Sequence, residues 1–157
     1  MEVPDLSLLE RLDQDLKDAL KQREAGRLRL SVIRMAKAAL QNARIEKGRA
    51  LTEEEVVEVL AREMKLRRES MVEFEKAQRS DRVEQLRAEM AVLAEYLPQQ
   101  LSEAEIRVLV KETVARIGAQ GPKAVGPVMA ALMPQVKGKA DGRLVNRIVN
   151  EVLAGNP

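Results

Sequence analysis

Seven side chains in this sequence carry an aliphatic hydroxyl, five serines and two threonines, and no cysteine or histidine accompanies them. A hydroxyl nucleophile needs a base to take its proton, and imidazole is the usual one. The missing imidazoles remove the Ser-His-Asp arrangement and histidine acid–base chemistry. The missing thiols remove thiolate attack, disulfides and Cys-based zinc sites. Three hydroxyls also fall where a helix needs them: Ser7, Thr52 and Ser102 each precede a glutamate by three residues. At that capping-box spacing each side chain satisfies the backbone N–H of the other residue. Ser80 lies in the turn-like QRSDR, while Ser31, Ser70 and Thr113 fall inside helical patterns with no base nearby in sequence. No nucleophile, other catalytic residue or phosphate-cradling glycine loop is recognisable. Glu53, Glu54 and Glu55 have the chemistry to hold Mg²⁺, yet carboxylates in a first helical turn are explained by the helix dipole. No metal and no cofactor is expected.

Cations offer more. The stretch KGKADGRLV, residues 137–145, places Lys137, Lys139 and Arg143 around an apparent helix start, with Arg147 one turn further and Lys123 upstream. It supports two readings. As a turn, Gly138 takes positive φ, Asp141 is the N-cap of the last helix and Gly142 its first residue. As a surface, the cations hold phosphate. Asp141 would already occupy the cap, so phosphate would meet the side chains rather than the helix N–H groups. Residues 102–157 hold eight Lys/Arg against five Asp/Glu, a net +3, whereas residues 1–101 hold 19 against 20, a net −1. A second basic element runs from Arg27 to Arg49, seven basic residues opposed only by Glu46, with Arg27, Arg34, Lys37 and Arg44 on one face. The plainer explanation is that such faces solvate helices or pair with neighbours such as Glu53, Glu54 and Glu55. Phe74 and Tyr96 are the only aromatics. Base stacking therefore cannot be the main mode of any RNA binding, which leaves backbone and shape recognition of a folded RNA such as tRNA.

The elements that position these residues are helical throughout. Apolar periodicity predicts a first helix from Ser7 to Glu24 (Leu8, Leu9, Leu12, Leu16, Ala19, Leu20), with Gly26 ending it or opening the turn. A second, Arg27 to Lys47, points Leu28, Val32, Met35, Ala36, Ala39, Leu40 and Ala43 inward and stops at Gly48. A third starts at Thr52 and a fourth follows RSD. Pro98 breaks the pattern and Ser102 caps a new helix, so the boundary is set there: an N-terminal four-helix domain, 1–98, and a C-terminal three-helix domain, 99–157. The latter holds helices from Ser102 to Ile117, within Pro122 to Val136, and from Gly142 to Leu153. Met129 and Met133, with Leu132, read as core filler. No alternating strand pattern is present, and the class is all-α. No run approaches the ~20 apolar residues of a membrane span, and the N-terminus MEVPDLSLLERLDQDL is acidic rather than signal-like, so a cytoplasmic protein is expected.

The pieces YLPQQLSEAEI and VMAALMPQVKGKADGRLVNRIV, with the long charged helices before them, resemble the GatB/YqeY family, and within it the free-standing YqeY-like proteins. The resemblance covers nearly the whole chain and implies two helical bundles, of four and three helices. It also implies similarity of the C-terminal module to the tail of the B subunit of tRNA-dependent amidotransferases, a module associated with recognition of the tRNA body. The family's link to glutamine-dependent carbon–nitrogen ligase activity does not carry over. The main domain of that subunit and the amidase signature of its partner have no counterpart here. Pro127 stands where such proteins more often carry a helix-compatible polar residue, which puts the start or straightness of its helix in question. The expected function is a non-catalytic accessory module that binds tRNA or a tRNA-containing complex. The alternative is a protein-interaction module that docks on an aminoacyl-tRNA synthetase or amidotransferase without touching RNA.

Overall fold

The computed structural model describes residues 6–155. They form seven α-helices and two 3₁₀ turns: α1 (Leu8–Lys21), a turn at Arg23–Gly26, α2 (Arg27–Lys47), α3 (Glu53–Lys76), α4 (Ser80–Ala94), α5 (Glu103–Ile117), a turn at Pro122–Ala124, α6 (Val125–Val136) and α7 (Gly142–Leu153). No strand occurs among the described residues, and the fold is all-α. No helix among them is long and apolar enough to cross a membrane. The chain divides into two compact units, Met1–Leu97 and Pro98–Pro157.

The starts of α1, α3 and α5 share one solution. Ser7, Thr52 and Ser102 each accept from the backbone N–H three residues on at 3.2 Å. The glutamates there, Glu10, Glu55 and Glu105, accept from the N-cap N–H in return, so all three capping boxes close. Each cap is worth ~0.5–2 kcal/mol. Of the remaining hydroxyls, Thr113 donates back to Leu109 O at 2.8 Å, and Ser80 is the first residue of α4 rather than part of a turn.

Helix ends show where local pattern and packing diverge. α1 stops at Lys21, short of Glu24, because Arg23 takes the left-handed conformation (φ 54°) that was expected of a glycine. Gly26 serves a different purpose. It is buried against α1, and a Cβ there would lie 2.2 Å from the carbonyl oxygen of Ala19. Pro127 does not disturb α6, which begins two residues before it at Val125. In the first turn a missing N–H breaks no intrahelical bond.

Unit 1 is built on Leu12, Val32, Ile33, Ala36, Leu60 and Leu93, with α3 packed along α4 and α1 along α2. Unit 2 is built on Ile106, Val110, Val128, Leu132, Val145 and Ile148. Each such Leu, Ile or Val contributes ~1.5–3 kcal/mol by leaving water. The expected stripes were too wide in places: Leu9, Leu20, Leu28, Met35 and Met133 are exposed, whereas Ile33 is a core residue that the pattern did not pick out. In a bundle of this size each helix buries only a band about 100° wide, so residues at the edge of an apolar stripe stay in water.

Candidate nucleic-acid interface

The turn between α6 and α7 is assembled by hydrogen bonds before any charge is considered. Gly138 has φ 76°, and the N–H groups of Lys139 and Ala140 both donate to Val136 O, at 2.9 and 3.1 Å. Asp141 adopts extended backbone and accepts from the N–H of Arg143 at 3.3 Å, capping α7 as its sequence position implied. A second segment braces the turn. Leu101 N–H donates to Lys139 O at 2.8 Å, and the Gln100 side-chain amide donates to both Gly138 O (2.9 Å) and Pro98 O (2.8 Å). Nothing in the local sequence signals this brace, since Gln100 lies 38 residues from Gly138 and looks like an ordinary linker residue.

On this frame Lys137, Lys139 and Arg143 are exposed together. The other two candidates of the group are placed differently. Arg147, one turn into α7, is hydrogen-bonded to Glu103 of α5 and lies 4.0 Å from Glu151, which in turn accepts from Arg107 at 2.6 Å. The Arg107 hydrogen bond, reinforced by the charges of Arg107 and Arg147, holds the Glu151 carboxyl below its ordinary range. Lys123 sits in the 3₁₀ turn at the far end of α6. The 12 residues of α6 separate it from Lys137 by about 18 Å along the helix axis. Of the five residues grouped in sequence, Lys137, Lys139 and Arg143 are exposed on or beside the turn, Arg147 belongs to an α5–α7 ion network, and Lys123 lies at the other end of α6.

The basic face of α2 is also partly spent. Lys37 is hydrogen-bonded to Asp13 of α1, and Arg27 lies 3.8 Å from Glu24. Arg29 is held by both carboxylate oxygens of Glu95, at 2.5 and 3.2 Å, which raises its already high pKa. Lys47 and Arg49 both reach Glu55, at 3.0 and 2.8 Å. Arg49, the capping N–H of Thr52 and Lys47 hold the Glu55 carboxyl far below the usual carboxylate range. Arg34 and Arg44 make no salt bridge with any described residue. Two of the three glutamates at the start of α3 have local roles, since Glu53 accepts from Leu8 N–H at 3.3 Å and Glu55 serves the cap.

Neither aromatic is presented to a base. Tyr96 is 3% exposed, its hydroxyl donates to Asp15, and the Arg11 guanidinium lies 5.1 Å from its ring centre. Burial, then the Asp15 hydrogen bond and charge, push its ionisation well above that of a free tyrosine. Phe74 is half-buried in α3.

Comparison with known proteins agrees with this architecture. The family described as Yqey-like protein matches residues 9–153. A relative from Pyrenophora tritici-repentis (strain Pt-1C-BFP), "Altered inheritance of mitochondria protein 41, mitochondrial", is 31% identical over 153 residues, which span 96% of this chain and 83% of the relative. An all-helical chain with closed capping boxes at Ser7, Thr52 and Ser102, matched almost from end to end, belongs to the YqeY-like family.

Proposed function

We propose that this protein is a non-catalytic accessory module that binds tRNA, or a complex containing it, through the cations of the α6–α7 turn. The observation that carries the reading is the braced turn itself, which holds Lys137, Lys139 and Arg143 exposed within seven residues of chain. Three cations at that spacing suit consecutive phosphates of a folded backbone, and they provide affinity with little sequence readout. The two buried or half-buried aromatics favour a structured RNA over a single strand. Arg147 and Lys123 play a lesser part in this reading, because one is bonded to Glu103 and the other lies at the opposite end of α6. We place this work in the cytoplasm. The name of the fungal relative places that protein in mitochondria.

The test is tRNA binding by the full chain and by Lys137→Glu/Lys139→Glu/Arg143→Glu, at low and moderate salt. Wild-type affinity should fall by about 0.7–0.9 log units per log unit of salt for each phosphate neutralised, and the triple variant should lose binding while its melt stays close to wild type. Unchanged affinity and salt slope in the variant would reduce the stretch to a turn.

A further inference from the structure

A groove of about 280 Å³ runs between α1, the second half of α2 and the loop before α3. Its floor is Leu9, Leu12, Leu40 and Leu51, and its rim is Asp13, Lys37, Gln41 and Arg44. The volume falls just below the ~300–1,000 Å³ of pockets that enclose cofactor-sized molecules, and it suits one or two inserted side chains. Of the floor residues, Leu12 and Leu40 are buried, Leu51 is half-buried, and Leu9 is 41% exposed although it lies on the stripe that reads as core. The charges on the rim are unequal. Lys37 and Asp13 are bonded to one another and cancel, and nearby Lys47 and Arg49 are taken by Glu55. Arg44 has no ion pair with any described residue, so the groove presents a leucine-lined slot with one uncompensated guanidinium at its edge.

We propose that this groove docks an acidic amphipathic segment of a partner protein. A leucine-type side chain fills the slot, and a carboxylate about one helical turn away pairs with Arg44 in the planar two-bond geometry that guanidinium offers. Charge complementarity selects this occupant. Phosphate alone would satisfy Arg44 and leave Leu9 and the half-buried Leu51 in water, whereas an uncharged apolar segment would fill the slot and partly desolvate an unanswered charge. The inference concerns unit 1 and stands apart from the RNA reading of the α6–α7 turn, so either can fail alone.

The experiment pans a phage-displayed library of random 12-residue peptides on the full chain, and in parallel on Arg44→Glu and Leu9→Asp. Both positions are exposed, and melting curves confirm that the variants are folded. Enriched peptides should combine a large aliphatic residue with Asp or Glu, lose at least about tenfold in affinity on either variant, and give way to Lys- or Arg-bearing peptides when Arg44→Glu is the bait. Failure to enrich, enrichment without an acidic preference, or equal binding to Arg44→Glu would overturn the proposal. The same holds if Arg44→Glu abolishes tRNA binding while the α6–α7 triple variant retains it, which would give Arg44 to nucleic acid. A wild-type dimer dissolved by Arg44→Glu would give the groove to a second copy of the chain, again against the proposal.

Discussion

Gly26→Ala measures how closely α1 and α2 approach. Gly26 closes the 3₁₀ turn and leads into α2 with φ −95° and ψ 0°, which alanine tolerates, so backbone strain plays no part. The cost is steric. The new methyl would lie 2.2 Å from Ala19 O and 2.9 Å from both Ala19 C and Cα, and all three are helix backbone atoms that cannot rotate away. Ordinary contact begins at 3.4 Å, so the two helices must part by about 1 Å at this turn, loosening the core that α1 and α2 share. Overpacking of this kind costs ~1–3 kcal/mol. In a unit of this size a loss of ~2 kcal/mol lowers Tm by roughly 8–16 °C. Scanning calorimetry of the full chain reads it directly. Gly126→Ala is the control: the same added methyl, in α6, meets nothing within 4 Å, and should leave its unit as stable or up to ~1 kcal/mol more so. A Gly26→Ala melt at or above wild type would refute the close approach of α1 and α2.

Two further outcomes follow from single side chains. Asp141→Ala should lower the stability of unit 2 by ~0.5–2 kcal/mol in a denaturant melt and Asp141→Asn by much less, because Asn caps nearly as well; equal losses would mean that charge rather than capping matters there. Tyr96 is the only tyrosine, so its phenolate absorbance is unambiguous. The raised ionisation means that its contribution to stability is complete below the ordinary tyrosine pKa of about 10 and declines as pH rises beyond it, so folded protein should show little phenolate there and unfolded protein should show it fully. Half-ionisation near that ordinary value in folded protein would contradict the buried hydrogen bond to Asp15.

Much of the fold is legible from sequence because its signals are local. The three capping boxes, the stop at Gly48, the Asp141 cap and the α7 limits all depend on residues within four positions of one another. What escaped depends on contacts across the fold. The end of α1 moved because Arg23 accepted a left-handed φ, and Gly26 was needed where α1 and α2 meet rather than at a helix end. The candidate site shows the same division. The closeness of Lys137, Lys139 and Arg143 along the chain could be read directly. The diversion of Arg147 to Glu103 and the pairing of Lys37 with Asp13 depend on neighbours 44 and 24 residues away, and Arg44 is left without an ion pair among the described residues.

On the proposed reading of the turn as a phosphate-binding surface, the brace from Gln100 and Leu101 bears on the kinetics and entropy of recognition. A free loop carrying three long cations would have to be ordered when a polyanion arrived, at ~1–2 kcal/mol for each backbone residue fixed. Here the backbone between Val136 and Asp141 is already tied at Val136, Gly138 and Lys139. Only the side-chain rotamers remain to be restrained on contact. Encounters steered by charge can then mature without a slow folding step, and weakening the brace should reduce affinity without removing a single positive charge.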